Sequence, residues 1–240
     1  MATGAKQRRG NLILDSMPAA DYAGFLGQLE RGKVDIKQVI QQPGKPIRNV
    51  WFPVDAVLSI VATTDDGGVA EVATIGGEGF SALSILPGQA RTGLTVLLQI
   101  PGICWRCGID SFRDALNDGG WLNDALHRYT ECLLVQTSQN VICNARHNVL
   151  QRCARWLLMI HDRVRRDQFL LTQEFLSQML TVRRASVNEA ATELRRQRLI
   201  EYTRGKMTIL DRRGLEVTAC ECYGKITAEY RRFAREMRRL

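Results

Sequence analysis

The residues best suited to chemistry in this sequence are hydrogen-bonding side chains between Thr172 and Lys206. Arg184 can donate two parallel hydrogen bonds to guanine O6 and N7, so it is a candidate for reading a base edge in the major groove. Thr172, Ser186 and Arg204 are natural phosphate contacts. The candidate residues for such contacts in this stretch are Thr172, Arg183, Arg184, Ser186, Asn188, Glu189, Arg204 and Lys206.

Two short helices with a tight connection would position these side chains. In the first helix the apolar residues recur at i, i+1, i+4 and i+5, and Thr172 precedes them as an N-cap. In the second helix small inward residues would let the pair cross closely, as a helix-turn-helix requires. The first apolar stripe is Phe175, Leu176, Met179 and Leu180, and the second is Val187, Ala190, Ala191 and Leu194. By pattern alone, an ordinary helical hairpin in an all-α core fits equally well.

A short hairpin is predicted directly after the helix pair. Residues 199–202 and 206–210 read as two strands, and Thr203-Arg204-Gly205 between them reads as a turn with an exposed Arg. Two helices followed by a hairpin with a basic tip are typical of a winged helix-turn-helix.

The stretch from Leu171 to Lys206 resembles the DNA-binding domain of the Crp/Fnr family of bacterial transcription regulators. The resemblance is carried by Leu171-Thr172-Gln173-Glu174 through Arg184, and then by Leu199-Ile200 and Gly205-Lys206. It makes Arg184 the first Arg of the recognition helix. Ala185 stands where the family usually has a Glu, and Glu189 stands where it has a later Arg. We therefore expect the usual docking but a different target sequence.

Charge is distributed unevenly along the 240 residues, whose net charge is +8. Residues 1–145 hold 12 Lys and Arg against 14 Asp and Glu, a net of −2, which leaves 21 against 11, or +10, for residues 146–240. This asymmetry is typical of a sensor domain joined to a nucleic-acid-binding domain. A solvated basic surface without a partner is the alternative.

The sequence also indicates the cellular compartment of the protein. No apolar run approaches the roughly 18 residues that would span a bilayer. The stretch Met1–Asn11 has basic residues but no apolar segment after them, so we expect a loose tail rather than a secretory signal. Seven scattered cysteines indicate a reducing, cytoplasmic setting.

Short β-prone runs separated by turn signals fill the N-terminal half after a predicted helix over 21–30. Such a series predicts a sandwich or barrel. The resemblance implies the jelly-roll, cyclic-nucleotide-binding-like sensor domain of the same family, in a branch that does not follow the cyclic-AMP type closely. The predicted strands are 34–40, 50–52, 57–62, 69–75, 94–100 and 103–107.

A long helix is predicted from Trp121. Its residues Leu122, Leu126, Tyr129 and Leu133 follow 4, 3, 4 spacing, which is a seam two heptads long. The resemblance implies that this helix pairs with its copy across a two-fold axis. A single amphipathic core helix is the alternative.

An effector pocket is implied only by the resemblance. Arg91-Thr92 matches the phosphate-binding pair of cyclic-nucleotide-binding members, and Thr137-Ser138 aligns with the polar pair that touches the nucleotide. The ribose-binding Glu should lie ten residues before Arg91, where this chain has Ser81, and Glu78 could serve only with a shifted loop. Cyclic AMP is therefore disfavoured, and another small anionic effector, or none, stays open.

Signatures of catalysis and metal binding are missing from the sequence. It has no G-x-S-x-G, H-E-x-x-H or Walker motif, so we expect no enzyme. The first cysteine is Cys104, which excludes the family's N-terminal iron–sulfur ligands. Cys104 and Cys107 would point to opposite faces of a strand, and Cys220-Glu221-Cys222 is too tightly spaced to supply a second pair. The histidines, His127, His147 and His161, have no second ligand nearby in sequence, so no metal site is predicted.

Together these features predict an α+β chain in three parts: a helix and jelly roll over 1–118, a dimerisation helix and hinge over 119–147, and a winged helix-turn-helix with a helical tail over 148–240. The tail, 211–240, is expected to break near Gly224, and its basic end would either contact DNA or pack on the domain. The expected function is a homodimeric regulator that binds an inverted-repeat operator on double-stranded DNA. RNA polymerase is a further candidate partner, and no membrane association is expected. The alternative is an interaction module controlled by a protein partner, with weak DNA binding.

Overall fold

The computed structural model describes residues 8–35, 38–117 and 120–239. The predicted α+β class, with a β-rich N-terminal half, long helices and a C-terminal helix-turn-helix, is confirmed. The first half contains α1 Leu12–Ser16, α2 Ala23–Gly27, β1 Glu30–Val34, β2 Val39–Gln41, β3 Asn49–Pro53, β4 Val57–Thr63, β5 Val69–Ile75, β6 Thr95–Ile100, β7 Gly102–Gly108 and α3 Ile109–Asn117. The second half contains α4 Trp121–Arg146, α5 Val149–Val164, β8 Gln168–Leu170, α6 Gln173–Leu180, α7 Arg184–Arg196, β9 Ile200–Thr203, β10 Lys206–Ile209, α8 Arg212–Thr218 and α9 Cys222–Met237.

The N-terminal strands form two antiparallel sheets, in the orders β1-β7-β3 and β2-β6-β4-β5. An aromatic cluster helps to fill the core of this half: Phe52 stacks on Phe80, with ring centroids 6.2 Å apart, and Phe80 lies 5.6 Å from Tyr129 of α4. A Cβ at Gly79 would lie 2.0 Å from the Tyr129 ring, so only glycine lets α4 approach this loop.

The predicted seam of α4 faces inward. Leu122, Leu126 and Tyr129 are fully buried and Leu133 is 4% exposed in a single chain, where they join the core of the N-terminal half. These four side chains therefore cannot be the surface that meets a second copy, which corrects their assignment to a dimer interface. The 4, 3, 4 pattern is satisfied by the chain's own core.

The exposed apolar residues of α4 lie on its other side. Leu134, Val141 and Ile142 are 60%, 66% and 46% exposed. Leu134, Ser138, Val141 and Ala145 themselves follow 4, 3, 4 spacing, so they form a second stripe along the helix.

The C-terminal helix returns to the N-terminal half. Its break falls at residues 219–221, between α8 and α9, rather than near Gly224. Phe233 and Met237 of α9 are 1% exposed and belong to the same core cluster as Leu133. The basic end of the chain therefore packs on α4 and α1, which resolves the choice left open by its sequence.

Three further expectations can be compared with the structure. The backbone N–H groups of Arg9 and Gly10 donate to Asp15, and Asn11 is fully buried, so the loose-tail prediction is wrong for residues 9–11. The predicted boundary at 118/119 and residues 1–7 lie outside the described residues. Along the described chain, no helix is both long and apolar enough to cross a bilayer.

Candidate nucleic-acid interface and neighbouring sites

Helices α6 and α7 are fixed to each other at their N-terminal halves. The Thr172 hydroxyl accepts a hydrogen bond from the backbone N–H of Phe175 at 3.1 Å, which is the predicted N-cap of α6. One residue later, Gln173 Nε2 lies 3.1 Å from Asn188 Oδ1 and joins the start of α6 to the outer face of α7. The Thr172 hydroxyl is therefore already engaged as the N-cap of α6.

The outer face of α7 presents the predicted DNA-contacting residues. Arg183 is the N-cap of α7 and Arg184 is its first helical residue, and both are exposed, as are Asn188 and Glu189, while Ser186 is half-buried. The opposite face is in the core: Val187, Ala190, Ala191 and Leu194 are at most 5% exposed. This separation leaves the polar face of α7 free for a partner.

The turn between α6 and α7 is tight. Thr181 ends α6 in the left-handed region, with φ 52° and ψ 50°, and its N–H bonds back to the carbonyls of Ser177 and Gln178. A β-branched residue rarely adopts this conformation, so the turn carries backbone strain. Only three residues, 181–183, connect α6 to α7.

The hairpin after α7 is confirmed, and it has a partner strand that the sequence did not reveal. β9 and β10 pair with Thr203 opposite Lys206, so Arg204 and Gly205 alone make the turn, at φ 50° and 77°. This geometry is that of a tight two-residue hairpin. β8 joins on the other side of β10. Arg204 is exposed at the tip, and Lys206 lines two neighbouring clefts.

Two residues missed in the sequence belong to the same surface. Gln173 orients Asn188, as described above. Arg195 is exposed in the last turn of α7, seven residues after Asn188, so it continues the face of Arg184 and Asn188. The i, i+7 spacing was the signal that could have identified Arg195.

The predicted effector residues form local hydrogen bonds. Arg91 is exposed and its Nη1 donates to the Gly44 carbonyl. Thr92 is 9% exposed, and its hydroxyl accepts from the backbone N–H of Leu94 at 3.1 Å. Thr137 is half-buried and Ser138 is exposed on α4, within the stripe between Leu134 and Val141. The contribution of these four residues to a pocket stays a prediction.

Glu78 is committed to a buried ion pair. Its carboxylate lies 2.8 Å from Arg163 Nη2 of α5, and the two side chains are 18% and 7% exposed. Arg163 also donates to Gln136 of α4, and Tyr230 of α9 donates to the same Gln136 oxygen at 2.8 Å. The network joins the jelly roll to three helices. Glu78 is therefore not free to bind a ribose, even with a shifted loop.

A second buried carboxylate lies where the jelly roll meets α5. Glu71 of β5 accepts hydrogen bonds from Ser59, Gln99 and Trp156, the last at 2.9 Å from indole Nε1 to Glu71 Oε1. Burial in this apolar contact raises the pKa of Glu71 to about 7, against the opposing effect of these hydrogen bonds and of Arg155 and Arg163.

Four potential metal ligands meet where α4 ends, and one of them, Cys143, lies four residues before His147, which corrects the expectation that His147 has no second ligand nearby in sequence. Cys143, His147, Cys220 and Cys222 place one ligand atom each within 4.8 Å of one another. The hydrogen bond from the Cys220 thiol lowers the pKa of Cys143 to about 5, and the same bond raises the pKa of Cys220. By contrast, burial raises the pKa of Cys104 and of Cys107 to about 12.

Residues 151–218, which run from α5 through α8, match the Crp-like helix-turn-helix domain family. No curated protein sequence matches the chain.

The fold of about four fifths of the chain is shared with solved structures of low sequence identity. FixK2 of Bradyrhizobium japonicum is 14% identical, with a TM-score of 0.64 over 80% of this chain and 98% of that one. A CRP-family transcriptional regulator from Thermus thermophilus is 19% identical, with a TM-score of 0.62 over 78% and 96%. CLP of Xanthomonas campestris, described as a c-di-GMP responsive global regulator, is 14% identical, with a TM-score of 0.61 over 80% and 99%. The resemblance found in the sequence is thus confirmed: this chain carries a Crp-like helix-turn-helix domain within the fold of the Crp/Fnr transcription regulators.

Proposed function

We propose that this protein is a sequence-specific transcription regulator that binds an inverted-repeat operator as a homodimer. The observation that carries the proposal is the exposed N-terminal face of α7, with Arg183 and Arg184 at its start, in a Crp-like helix-turn-helix domain. A recognition helix contacts base edges with its N-terminal residues when it lies in the major groove. This position supports Arg184 as the residue that would read a base.

The wing and the net charge support the same proposal. Arg204 is exposed at the tip of the hairpin, where phosphates lie within reach of a docked domain. The net charge of +10 over residues 146–240 supplies a counterion-release contribution to affinity that any DNA sequence would receive. Base contacts from α7 would add the sequence preference.

The two-fold dimer would form through the outward stripe of α4, which comprises Leu134, Ser138, Val141 and Ala145. Three large apolar side chains on that helix, Leu134, Val141 and Ile142, are 46–66% exposed in the single chain. Pairing two copies of the stripe would cover them, and 4, 3, 4 spacing is the arrangement that two such helices need. The stripe replaces the inward seam named from the sequence.

The proposal is tested by selecting DNA from a random pool with the purified full chain and sequencing the selected fragments. The expected result is an inverted repeat whose half-sites are centred about one helical turn apart. Salt titration on the selected site and on a scrambled site should give a linear fall of log K with log salt for both, with tighter binding to the selected site. Recovery of no shared sequence, with equal affinity for both DNAs, would instead favour an interaction module controlled by a protein partner.

A further inference from the structure

The strongest feature outside the DNA-binding surface is a cluster of three thiols and one imidazole. Cys143 lies in the last turn of α4, and His147 is the C-cap of that helix. Cys220 lies between α8 and α9, and Cys222 is the first residue of α9. The cysteines are at most 3% exposed and the His147 side chain is 12% exposed. Residues 77 positions apart are thus brought together in a buried site.

Two distances in this cluster match those of a tetrahedral site, and all four ligand atoms lie within 4.8 Å of one another. Cys143 Sγ lies 3.4 Å from Cys220 Sγ, and Cys222 Sγ lies 3.8 Å from His147 Nδ1. With zinc–sulfur bonds of about 2.3 Å and zinc–nitrogen bonds of about 2.0 Å, neighbouring ligand atoms of a tetrahedron are about 3.5–3.8 Å apart. Small side-chain adjustments would place all four ligand atoms around one ion.

The other nitrogen of the imidazole has the partner that a ligating histidine needs. His147 Nε2 lies 3.1 Å from Glu221 Oε2. Histidines that bind metal commonly donate their second N–H to a carboxylate, which fixes the ring and leaves the other nitrogen as the ligand. Here that contact leaves Nδ1 facing the thiols. Glu221, between Cys220 and Cys222, is therefore a positioning residue.

The surroundings also suit the charge of a loaded site. Three thiolates and a neutral imidazole around Zn²⁺ carry a net charge of −1, which is costly to bury alone. Arg152 and Arg155 are 7% and 4% exposed, and both guanidinium groups interact electrostatically with Cys143. Their Nε atoms are among the described buried atoms that have no hydrogen-bond partner. Two buried cations thus adjoin the cluster.

We infer that Cys143, His147, Cys220 and Cys222 form a structural Zn²⁺ site. On binding, each thiol that is still protonated releases its proton to solvent, and no electron transfer is involved. The ion would tie the α8–α9 connection to the end of α4. It would thereby hold the helix-turn-helix, through α5 and α8, in one orientation relative to the long helix.

The test is the zinc content of the full chain, purified with its thiols reduced and dialysed after addition of excess zinc. We expect about one zinc per chain, and cobalt in its place should give the visible absorption of a tetrahedral thiolate site. Cys220→Ala and Cys222→Ser should lose the stoichiometric metal, whereas Cys107→Ala, which removes a buried thiol elsewhere, should keep it. Glu221→Gln should weaken zinc affinity by about 10- to 100-fold.

A second readout separates metal binding from misfolding. Zinc should raise the thermal midpoint of the parent chain and of Cys107→Ala but not that of Cys220→Ala. A reduced parent chain that retains no zinc would overturn the proposal, whatever the variants do. So would equal zinc content in folded Cys220→Ala. A chain that instead holds a Cys143–Cys220 disulfide and binds no zinc after reduction would show a redox pair in place of the metal site.

Discussion

At the scale of single residues, the protonation of Glu71 should affect the stability of the fold. It is buried where β5 meets α5, and its pKa is raised from 4.5 to about 7. The folded state therefore holds a proton that the unfolded state has already lost, so the free energy of unfolding should fall as pH rises between those two values. A shift of that size corresponds to about 3 kcal/mol.

The corresponding variant is Glu71→Gln, which keeps the shape and cannot ionise. We expect the parent chain to lose about 3 kcal/mol relative to this variant between about pH 4 and pH 8, as measured by urea unfolding. The difference between the two proteins cancels the titration of all other groups. A constant difference across this range would show that folding does not shift the pKa of Glu71.

Arg91 tests the effector hypothesis at the same scale. Its side chain is exposed and donates to the Gly44 carbonyl, so Arg91→Ala should leave the thermal midpoint within about 2 °C of the parent. If Arg91 binds an anionic effector, the variant should lose any change in operator affinity that small-molecule extracts cause in the parent. Arg113→Ala, which removes an Arg of α3 whose side chain is 39% exposed, is the matched control. An unaltered response in Arg91→Ala would place the effector elsewhere.

At the scale of elements, α4 shows why an apolar repeat does not identify its own partner. The helix has two stripes at heptad spacing, one buried in the chain's own core and one exposed. From the sequence, Leu122, Leu126, Tyr129 and Leu133 formed the recognised seam, and only the resemblance to the Crp/Fnr family assigned that seam to a dimer. In the structure, the jelly roll and α9 pack against that set within a single chain, so the set is already buried.

Two charge substitutions distinguish the stripes of α4. Leu133→Glu buries a charge at a site that is 4% exposed, and it should lower the free energy of unfolding by more than about 4 kcal/mol. Val141→Glu replaces a side chain that is 66% exposed, so the protomer should stay folded, but the proposed dimer should dissociate. Sedimentation and urea unfolding of both variants provide the measurements. A folded Val141→Glu protein that sediments as a dimer would remove this stripe from the interface.

Other elements differ in how far local sequence determines them. The helix pair α6 and α7 and the hairpin β9–β10 could be predicted, because cap residues, 3.6-residue periodicity and an Arg-Gly turn are local signals. β8 could not, since its three residues pair only with a strand that lies nearly forty residues later. The thiol–imidazole cluster was also missed, because Cys143 and Cys220 become neighbours only when α9 packs back along α4.

At the scale of the whole molecule, the jelly roll, α4 and the DNA-binding domain form a continuous packed structure. The ion pair of Glu78 with Arg163 and the hydrogen bond of Asn140 with the Val72 carbonyl link the jelly roll to α5 and α4. α9 crosses from the helix-turn-helix domain to the N-terminal core. The jelly roll is therefore connected through these contacts to the helices that would meet DNA.

The central claim is that α7 reads bases while the wing contacts only the backbone. It is tested most directly by the affinity of the parent, Arg184→Ala and Arg204→Ala for a selected operator and its single-base variants, at several salt concentrations, with Arg113→Ala as a control. Arg184→Ala should cost about 1–3 kcal/mol per half-site and should relax preference at one base pair. Arg204→Ala should weaken all sequences alike and reduce the salt slope by about one for each phosphate that the variant no longer neutralises. An even loss of affinity over all variants for Arg184→Ala would contradict the placement of α7 in the major groove.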